Sequence, residues 1–218
     1  IGSNIVRAAL QAGDTVRVID DLSTGSRSNL HGLECELVEA SILDESALTR
    51  ALTGCRFVYH LAGQVSVPRS LEAPELTHAV NATGSMKVYE SARRAGVERV
   101  VYSASCAAYG QAQTLPISET SPLCPESPYA ASKLLGELYG SAWSASMGLE
   151  VASLRYFNVY GPRQNPQGGY AAAIPAFITR MLRGDEVTIF GDGEQTRDFV
   201  FVDDVVRANL LAARAPEA

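Results

Sequence analysis

The sequence predicts an α/β fold, a doubly wound parallel sheet with a small lobe at its C-terminal end. Two observations lead to this prediction. Short β-branched runs alternate with longer amphipathic segments, which is the pattern of parallel strands joined by helices. Small and polar residues follow several of the runs directly, at the edge where open parallel sheets bind their ligands.

The strands are predicted wherever a short apolar run is bounded by turn residues. Five are predicted in the first three quarters of the chain: 15–20, 34–39, 56–61, 99–104 and 151–157. The stretch VTIFGDGEQTRDFVF, at 187–201, predicts a further strand, a glycine turn and a second strand.

The helices are predicted from apolar spacing and from their end signals. The predicted helices are 1–11 (ended by Gly13), 44–54, 75–96, 127–148, 173–184 and 203–215. In the helix 127–148, Ser127 is the expected N-cap, Pro128 takes the first helical position and Gly148 ends the helix. For the last helix we expect the cap to be Asp203 or Asp204.

Composition excludes several classes of function. The formal net charge of −6 argues against a nucleic-acid or anionic-membrane partner. No apolar run has the length of a membrane span. The four cysteines show no CxxC pair, and the three histidines form no metal-ligand spacing. We therefore expect reduced thiols, no metal and a cytoplasmic location.

Tyr129 and Lys133, in PYAASK, stand four residues apart and share one helix face. The ordinary pKa of tyrosine, near 10, is too high for a base at neutral pH, and a neighbouring cation lowers it. The pair is therefore a sensible acid/base unit. The alternative is a surface tyrosine beside a solvated lysine.

Further candidate binding residues lie at or just after the ends of three of the predicted strands. Ser103 and Ser105 close the strand 99–104, and the Ser105 hydroxyl is placed to bind a substrate oxygen, although serine is also common in turns. Ala62 and Gly63 follow the strand 56–61 and allow close backbone approach of a ligand.

Asp20 ends the strand 15–20, where a carboxylate can accept both hydroxyls of an adenosine ribose. It repels a 2′-phosphate and so favours NAD over NADP, an inference that the nearby Arg27 weakens. The alternative is a turn begun by Asp20 and Asp21.

Eight motifs then occur in a characteristic order: IGS, VIDDLSTGSRSNL, HLAGQVSVPRS, VNATGS, VYSASCAAYG, SPYAASK, LRYFNVYGPRQNP and FGDGEQTRDFVFVDD. In this order the chain resembles, over all 218 residues, the extended short-chain dehydrogenase/reductase superfamily. Within it the chain is most similar to the NAD-dependent epimerase/dehydratase family and its UDP-glucose 4-epimerase group. The resemblance implies a Rossmann-type sheet.

The resemblance also implies roles for individual residues. Ser105, Tyr129 and Lys133 are the expected catalytic residues, and Ser105, Tyr129, Asn158 and Arg197 are the expected contacts of a UDP-sugar. NAD is the expected cofactor, bound by Ile1, Gly2, Asp20, Asp21, Leu22, Ser23, Thr24, Gly25, Ser41, Ile42, Leu61, Ala62, Gly63, Gln64, Asn81, Ser103, Tyr129, Lys133, Tyr156 and Phe157. Ser41 stands where the family often has an aspartate, so we expect weaker adenine contact.

The reaction implied is epimerisation of a nucleotide sugar at C4 through a 4-keto intermediate, with UDP-glucose and UDP-galactose or their N-acetyl forms as substrates. The sister 4,6-dehydratases and decarboxylases need an acid after the serine, whereas Ser105 is followed here by Cys106, Ala107 and Ala108. An alternative of another class is a non-catalytic relative that senses a nucleotide or binds a partner.

The resemblance divides the chain into an NAD-binding domain, 1–161, and the start of a nucleotide-sugar lobe, 162–218, with segments that return to the main domain. It also implies a homodimer through the helices 81–95 and 128–146. Gly2 resembles the last glycine of a phosphate-binding loop whose first glycines and strand precede it in the family. We therefore expect residues 1–218 to be part of a longer protein that extends beyond both ends.

Because most of that phosphate loop is expected upstream of Ile1, we predict that the 218-residue chain alone binds NAD weakly and unfolds easily. Titration calorimetry of NAD into the purified chain, compared with the full-length protein, measures this. Tight binding by the chain alone would contradict the prediction.

Overall fold

The computed structural model describes residues 1–166, 172–189 and 191–216. Strands and helices alternate as predicted, and the α/β class is confirmed. The elements are α1 (Gly2–Gln11), β1 (Arg17–Asp20), β2 (Glu36–Glu39), α2 (Glu45–Leu52), β3 (Phe57–His60), α3 (Val67–Glu72), α4 (Pro74–His78), α5 (Gly84–Arg94), β4 (Arg99–Ser105), α6 (Pro128–Met147), β5 (Glu150–Tyr156), β6 (Asn158–Tyr160), α7 (Ala173–Arg183), β7 (Phe199–Phe201) and α8 (Val202–Arg214).

All strand pairs of the described chain are parallel. β4 lies between β3 and β5, β1 pairs with β2, and β6 pairs with β7. In the central sheet Val101 is in register with Tyr59 on one side and Ala152 on the other. The carboxyl ends of β3, β4 and β5 therefore meet at one edge.

Helices cover both faces of the central sheet, as predicted. On one face α2, α5 and α6 pack around the buried side chains Leu48, Tyr89 and Tyr102. On the other face α8 packs on the sheet and on α1, where Ile5 contacts a cluster with Val202. No helix in the described part of the chain is long and apolar enough to cross a membrane.

The predicted ends of two helices are confirmed. Ser127 caps α6 by accepting a hydrogen bond from the Ala130 N–H at 3.1 Å, Pro128 opens the helix, and Gly148 ends it at a positive φ of 71°. Helix α1 stops before Gly13, whose φ of 86° needs the freedom of glycine.

Two helix predictions need correction. Helix α8 begins at Val202 without a side-chain cap, so Asp203 and Asp204 lie inside its first turn rather than at the cap. The predicted helix 75–96 is interrupted by a π-helical turn, Ala79–Thr83, between α4 and α5. The Asn81 side chain bonds outside its own helix there, which favours the irregular turn.

One strand prediction is wrong for the residues described. Residues 187–189 form no strand; instead Arg180 of α7 donates hydrogen bonds to the Glu186 carbonyl and to the Thr188 hydroxyl, at 3.1 and 2.9 Å. Residue 190, the end of that predicted strand, lies outside the described residues, as do residues 167–171.

Arg99 ties the returning helix α8 to the sheet. This buried guanidinium donates hydrogen bonds to the carbonyls of Ala212 and Ala215, at 2.8 and 2.6 Å, and pairs with Glu150 of β5. A cation at the C-terminal end of a helix also interacts favourably with the helix dipole. The base of β4 thereby holds α8 in place.

Gly140 of α6 packs directly against β5, and a Cβ at this position would lie 2.7 Å from Cγ1 of Val151. We predict that Gly140→Ala lowers the free energy of unfolding by about 1 to 2 kcal/mol, because overpacking outweighs the gain in helix propensity. Urea denaturation measures the change. Ser141→Ala, at the exposed next position, is the control and should change stability by less than about 0.5 kcal/mol. Equal or greater stability of Gly140→Ala would contradict this packing.

Candidate active site

Ser105 and Tyr129 meet where β4 ends and α6 begins. Ser105 is the last residue of β4, and Tyr129 lies in the first turn of α6, which Ser127 holds in place. The Ser105 hydroxyl lies close enough to Tyr129 to lower the pKa of its phenol, and it accepts a hydrogen bond from the Ala107 N–H at 3.2 Å. The structure thus brings together the two residues predicted to act on one substrate hydroxyl.

Burial raises the pKa of Tyr129, the hydrogen bond from Ser105 lowers it, and the nearby Cys106 raises it further. The net shift is upward. Desolvation of the phenolate is the largest cause of this shift. The lowering of the Tyr129 pKa by Lys133 stays a prediction.

Lys133 lies one turn further along α6 and is almost completely buried, at 5% exposure. Its ammonium Nζ stands 4.6 Å from the centre of the Tyr102 ring and 3.8 Å from the point that a Cβ of Gly63 would occupy. Burial lowers the pKa of Lys133 to about 8. The side chain is therefore mostly charged at neutral pH and becomes neutral slightly above it.

Asn81 anchors the segment that follows β3. Its amide accepts a hydrogen bond from the Gln64 N–H at 2.7 Å, and donates to the Gln64 carbonyl and to the Ser132 hydroxyl, both at 2.9 Å. A Cβ at Gly63 would lie 3.0 Å from the Asn81 oxygen, so only glycine fits without displacement. The predicted residues Ala62, Gly63, Gln64 and Asn81 are thus gathered beside Lys133.

The turn after β1 folds around Asp20. Its carboxylate accepts a hydrogen bond from the Leu22 N–H at 2.8 Å, and Gly25 lies so close that a Cβ there would be 3.2 Å from the second oxygen. Asp21 accepts one from the Ser23 N–H at 3.0 Å. Arg27, whose side chain is exposed, pairs with Glu39.

Ser41 and Ile42 follow β2. The Ser41 hydroxyl accepts a hydrogen bond from the Leu43 N–H at 3.2 Å, within its own turn. Ile42 is buried in the core against Gly84, where an added Cβ would meet its Cδ1 at 2.6 Å. Ile42 therefore packs in the interior, and Ser41 is the residue of the pair whose side chain stays at the turn.

The N-terminus of α1 lies near the loop that follows β6. Ile1 provides no capping side chain, and the first turn contains no acidic residue. From the loop, Arg163 donates a hydrogen bond to the Ser3 hydroxyl at 3.1 Å and a second to the Asn4 side chain. A helix N-terminus without a counter-charge, beside a guanidinium, suits an anionic group such as a diphosphate.

Ser103 and Tyr156 are not brought to Lys133. The Tyr156 hydroxyl donates a hydrogen bond to Asn209 of α8 at 3.0 Å, Ser103 lies close by, and burial raises the pKa of Tyr156 to about 12. The two side chains thus belong to a network on the α8 side of the sheet. Leu61 and Phe157, directly after β3 and β5, are partly buried at the strand ends.

Asn158 and Arg197, the predicted substrate contacts of the C-terminal segment, have different surroundings. The Asn158 amide donates to the Asp198 carbonyl at 2.9 Å and so joins β6 to the start of β7. Arg197 is exposed, and its guanidinium donates to the neighbouring Thr196 carbonyl at 2.7 Å. The described contacts place neither residue against Tyr129.

Sequence reasoning missed the aromatic residues behind Lys133. His60, 3% exposed, bonds through Nε2 to the Ser85 hydroxyl at 2.9 Å and contacts the rings of Tyr89 and Tyr102. Burial, with the charge of Lys133, lowers the pKa of His60 to about 3. The available signal was a tyrosine in the otherwise aliphatic run VVYSAS, which indicates a side chain with a buried polar partner.

The doubly wound parallel sheet, with Ser105, Tyr129 and Lys133 at its carboxyl edge and Asp20 ending β1, defines a short-chain dehydrogenase/reductase type of enzyme. The model of the NAD dependent epimerase/dehydratase family matches residues 1–218, and the chain belongs to this family. The site residues fit NAD: a carboxylate for the ribose, an uncapped helix for the diphosphate and a glycine beside a buried ammonium. The prediction of NAD as the cofactor is confirmed.

Relatives in this family include both epimerases and dehydratases. A UDP-glucose 4-epimerase of Mycolicibacterium smegmatis is 42% identical over 219 residues, covering 97% of this chain and 69% of the relative. The structure of a UDP-N-acetylglucosamine 4-epimerase from Methanobrevibacter ruminantium M1, in complex with UDP-N-acetylmuramic acid, matches with a TM-score of 0.94 and 38% identity, over 99% of this chain and 70% of that one. A dTDP-glucose 4,6-dehydratase from Streptomyces venezuelae, solved with NAD, matches with a TM-score of 0.88 and 35% identity, over 97% and 68%.

The buried His60 makes stability depend on pH. Its folded pKa of about 3 lies below the ordinary value of 6.5, so the unfolded chain binds the extra proton between these values. We predict that stability falls as the pH falls from 6.5 toward 3, and that His60→Gln, which keeps a polar end near Ser85, flattens this slope. Chemical denaturation at several pH values measures it. Leu48→Ala, equally buried, should lower stability without changing the slope. An unchanged slope in His60→Gln would contradict the assignment.

Proposed function

We propose that the protein is a nucleotide-sugar 4-epimerase that interconverts UDP-glucose and UDP-galactose through a 4-keto sugar. The observation that carries the proposal is the neighbouring pair Ser105 and Tyr129, with a turn after Ser105, Cys106–Tyr109, that offers no carboxylate. A 4,6-dehydratase needs an acid there to take the C5 proton, so oxidation at C4 followed by reduction is the reaction these residues suit.

In this proposal Ser105 orients the sugar 4-hydroxyl by a hydrogen bond, and Tyr129, as phenolate, accepts its proton. NAD, when bound, supplies the reversible hydride acceptor for C4. Tyr129 returns the proton after the keto sugar has turned in the site. Because burial raises the pKa of Tyr129, formation of the phenolate needs positive charge nearby, and in this proposal the ammonium of Lys133 has that role.

We further propose that residues 1–161 hold NAD and that 162–218 contribute to the nucleotide-sugar site. Asn158 lies near the sugar and Arg197 near the diphosphate, for which a guanidinium is well shaped. Both UDP-glucose and its N-acetyl form are candidate substrates, because the similar epimerases act on one or the other by name.

A homodimer through α5 and α6 is also proposed. The two helices lie side by side, and α6 exposes Leu138 and Met147 to 55% and 49%. Exposed apolar side chains on adjacent helices are typical of a contact surface. The cytoplasmic location remains a prediction from composition.

We predict that Tyr129→Phe, made in the full-length protein, abolishes interconversion of UDP-glucose and UDP-galactose while NAD binding is retained, because the ring stays and only the proton acceptor is removed. Coupled assays of both directions and NAD titration measure these outcomes. Tyr139→Phe, on the same helix but packed against Trp143, is the matched control and should keep activity. Normal turnover by Tyr129→Phe would overturn the proposal.

Product analysis then separates the candidate reactions. The full-length protein is incubated separately with UDP-glucose, UDP-N-acetylglucosamine and dTDP-glucose, and the products are identified by NMR. Galactose-configured products support the epimerase, whereas a 4-keto-6-deoxy sugar would show a dehydratase.

A further inference from the structure

The ammonium of Lys133 is buried without an opposite charge. Among the residues that the structure describes, no carboxylate pairs with it, although nine other ion pairs are present there. A buried cation without compensation is costly. The side chain that meets it is Tyr102, whose ring centre lies 4.6 Å from Nζ, a cation–π distance.

Tyr102 also holds the backbone on which Lys133 stands. Its hydroxyl donates a hydrogen bond to the Lys133 carbonyl at 3.1 Å. The hydroxyl fits into α6 because Gly136 has no side chain: a Cβ there would lie 2.2 Å from the Tyr102 oxygen. The absence of a side chain at Gly136 therefore allows β4 and α6 to pack closely at this point.

The Tyr102 ring is itself fixed from two other sides. It is fully buried, with the Tyr89 ring edge-on at 6.1 Å and the His60 ring at 5.4 Å. Tyr89 donates a hydrogen bond to the Gly136 carbonyl at 3.0 Å, so the same turn of α6 is held by two tyrosines. The ring cannot turn away from the ammonium without disrupting this cluster.

We propose that Tyr102 is a positioning residue for Lys133: its ring face stabilises the ammonium, so that the charge stays beside Gly63 before any ligand binds. The functional part of this inference rests on the proposed roles of Lys133 in holding the cofactor and tuning Tyr129.

Several titratable groups belong to the cluster behind Lys133. They are His60 of β3, Tyr102 of β4, Tyr89 of α5 and Tyr129 of α6. His60 is neutral above about pH 3, and burial raises the pKa of each of the three tyrosines, away from the pKa of about 8 of Lys133.

The chain contains only two lysines, Lys87 and Lys133, so Lys133 can be titrated directly. The full-length protein is labelled with 13Cε-lysine and its methylene signals are followed by NMR from pH 6 upward. The Lys133→Arg variant identifies the Lys133 signal by its loss, and Lys87→Arg identifies that of Lys87. Tyr102→Phe keeps the ring and removes the hydroxyl. Tyr102→Met fills much of the same volume without an aromatic face.

We expect Tyr102→Phe to titrate close to the parent protein, and Tyr102→Met to titrate lower by about 0.4 to 1.5 pH units. Tyr89→Met removes an equally buried ring that does not face Nζ, so it should lower stability but leave the Lys133 midpoint in place. A midpoint in Tyr102→Met equal to or above that of the parent would overturn the proposal.

If Tyr102→Met does not fold, the parent protein gives a second test. The ring current of Tyr102 should shift the ε-proton signals of Lys133 upfield of those of Lys87, and their absence from this position would overturn the proposal. Neither measurement needs a nucleotide sugar, so failure of the proposed epimerase reaction and failure of this inference are separately visible. If both hold, NAD affinity should fall in Tyr102→Met and be retained in Tyr102→Phe.

Discussion

The burial of β4 is the constraint on which the rest of the structure depends. Six of its seven residues are buried, with helices on both faces and a parallel neighbour on each side. Its first residue, Arg99, fixes the end of α8, and its last, Ser105, meets Tyr129. Because a strand closed in on four sides has little freedom to shift, the chemistry at its carboxyl end is placed by the same packing that stabilises the core.

Burial in the site disfavours the charged forms of Tyr129 and Lys133. Burial raises the pKa of Tyr129 and lowers that of Lys133, so both groups are shifted toward their neutral forms. The Tyr102 ring offsets part of the burial cost of the Lys133 ammonium, but not that of the Tyr129 phenolate. The charge state of the pair is therefore decided by what binds beside it, since an incoming polar ligand changes the desolvation of both groups.

Local patterns predicted most of the fold. The strands of the main sheet and the ends of α6 depend on short-range signals such as β-branched runs, Ser127 and Gly148. The same patterns predicted that Tyr129 lies near Ser105, because consecutive elements of a parallel sheet present their residues at one edge. The finer chemistry depends on distant partners. The π-helical turn needs contacts of Asn81 with Gln64 and Ser132, which are 17 and 51 residues away.

Helix α1 has a consequence for how the protein is made. Its apolar stripe, with Ile5, is buried against Val202, and the nearby pair Asp14 and Arg214 joins positions 200 residues apart. At about 5 to 20 residues per second, synthesis leaves this stripe without its partner for roughly 10 to 40 s. Contacts of such sequence separation also form late in folding. During translation the apolar residues of α1 therefore lack their α8 partner, and chaperones and other nascent chains can bind them until α8 has emerged.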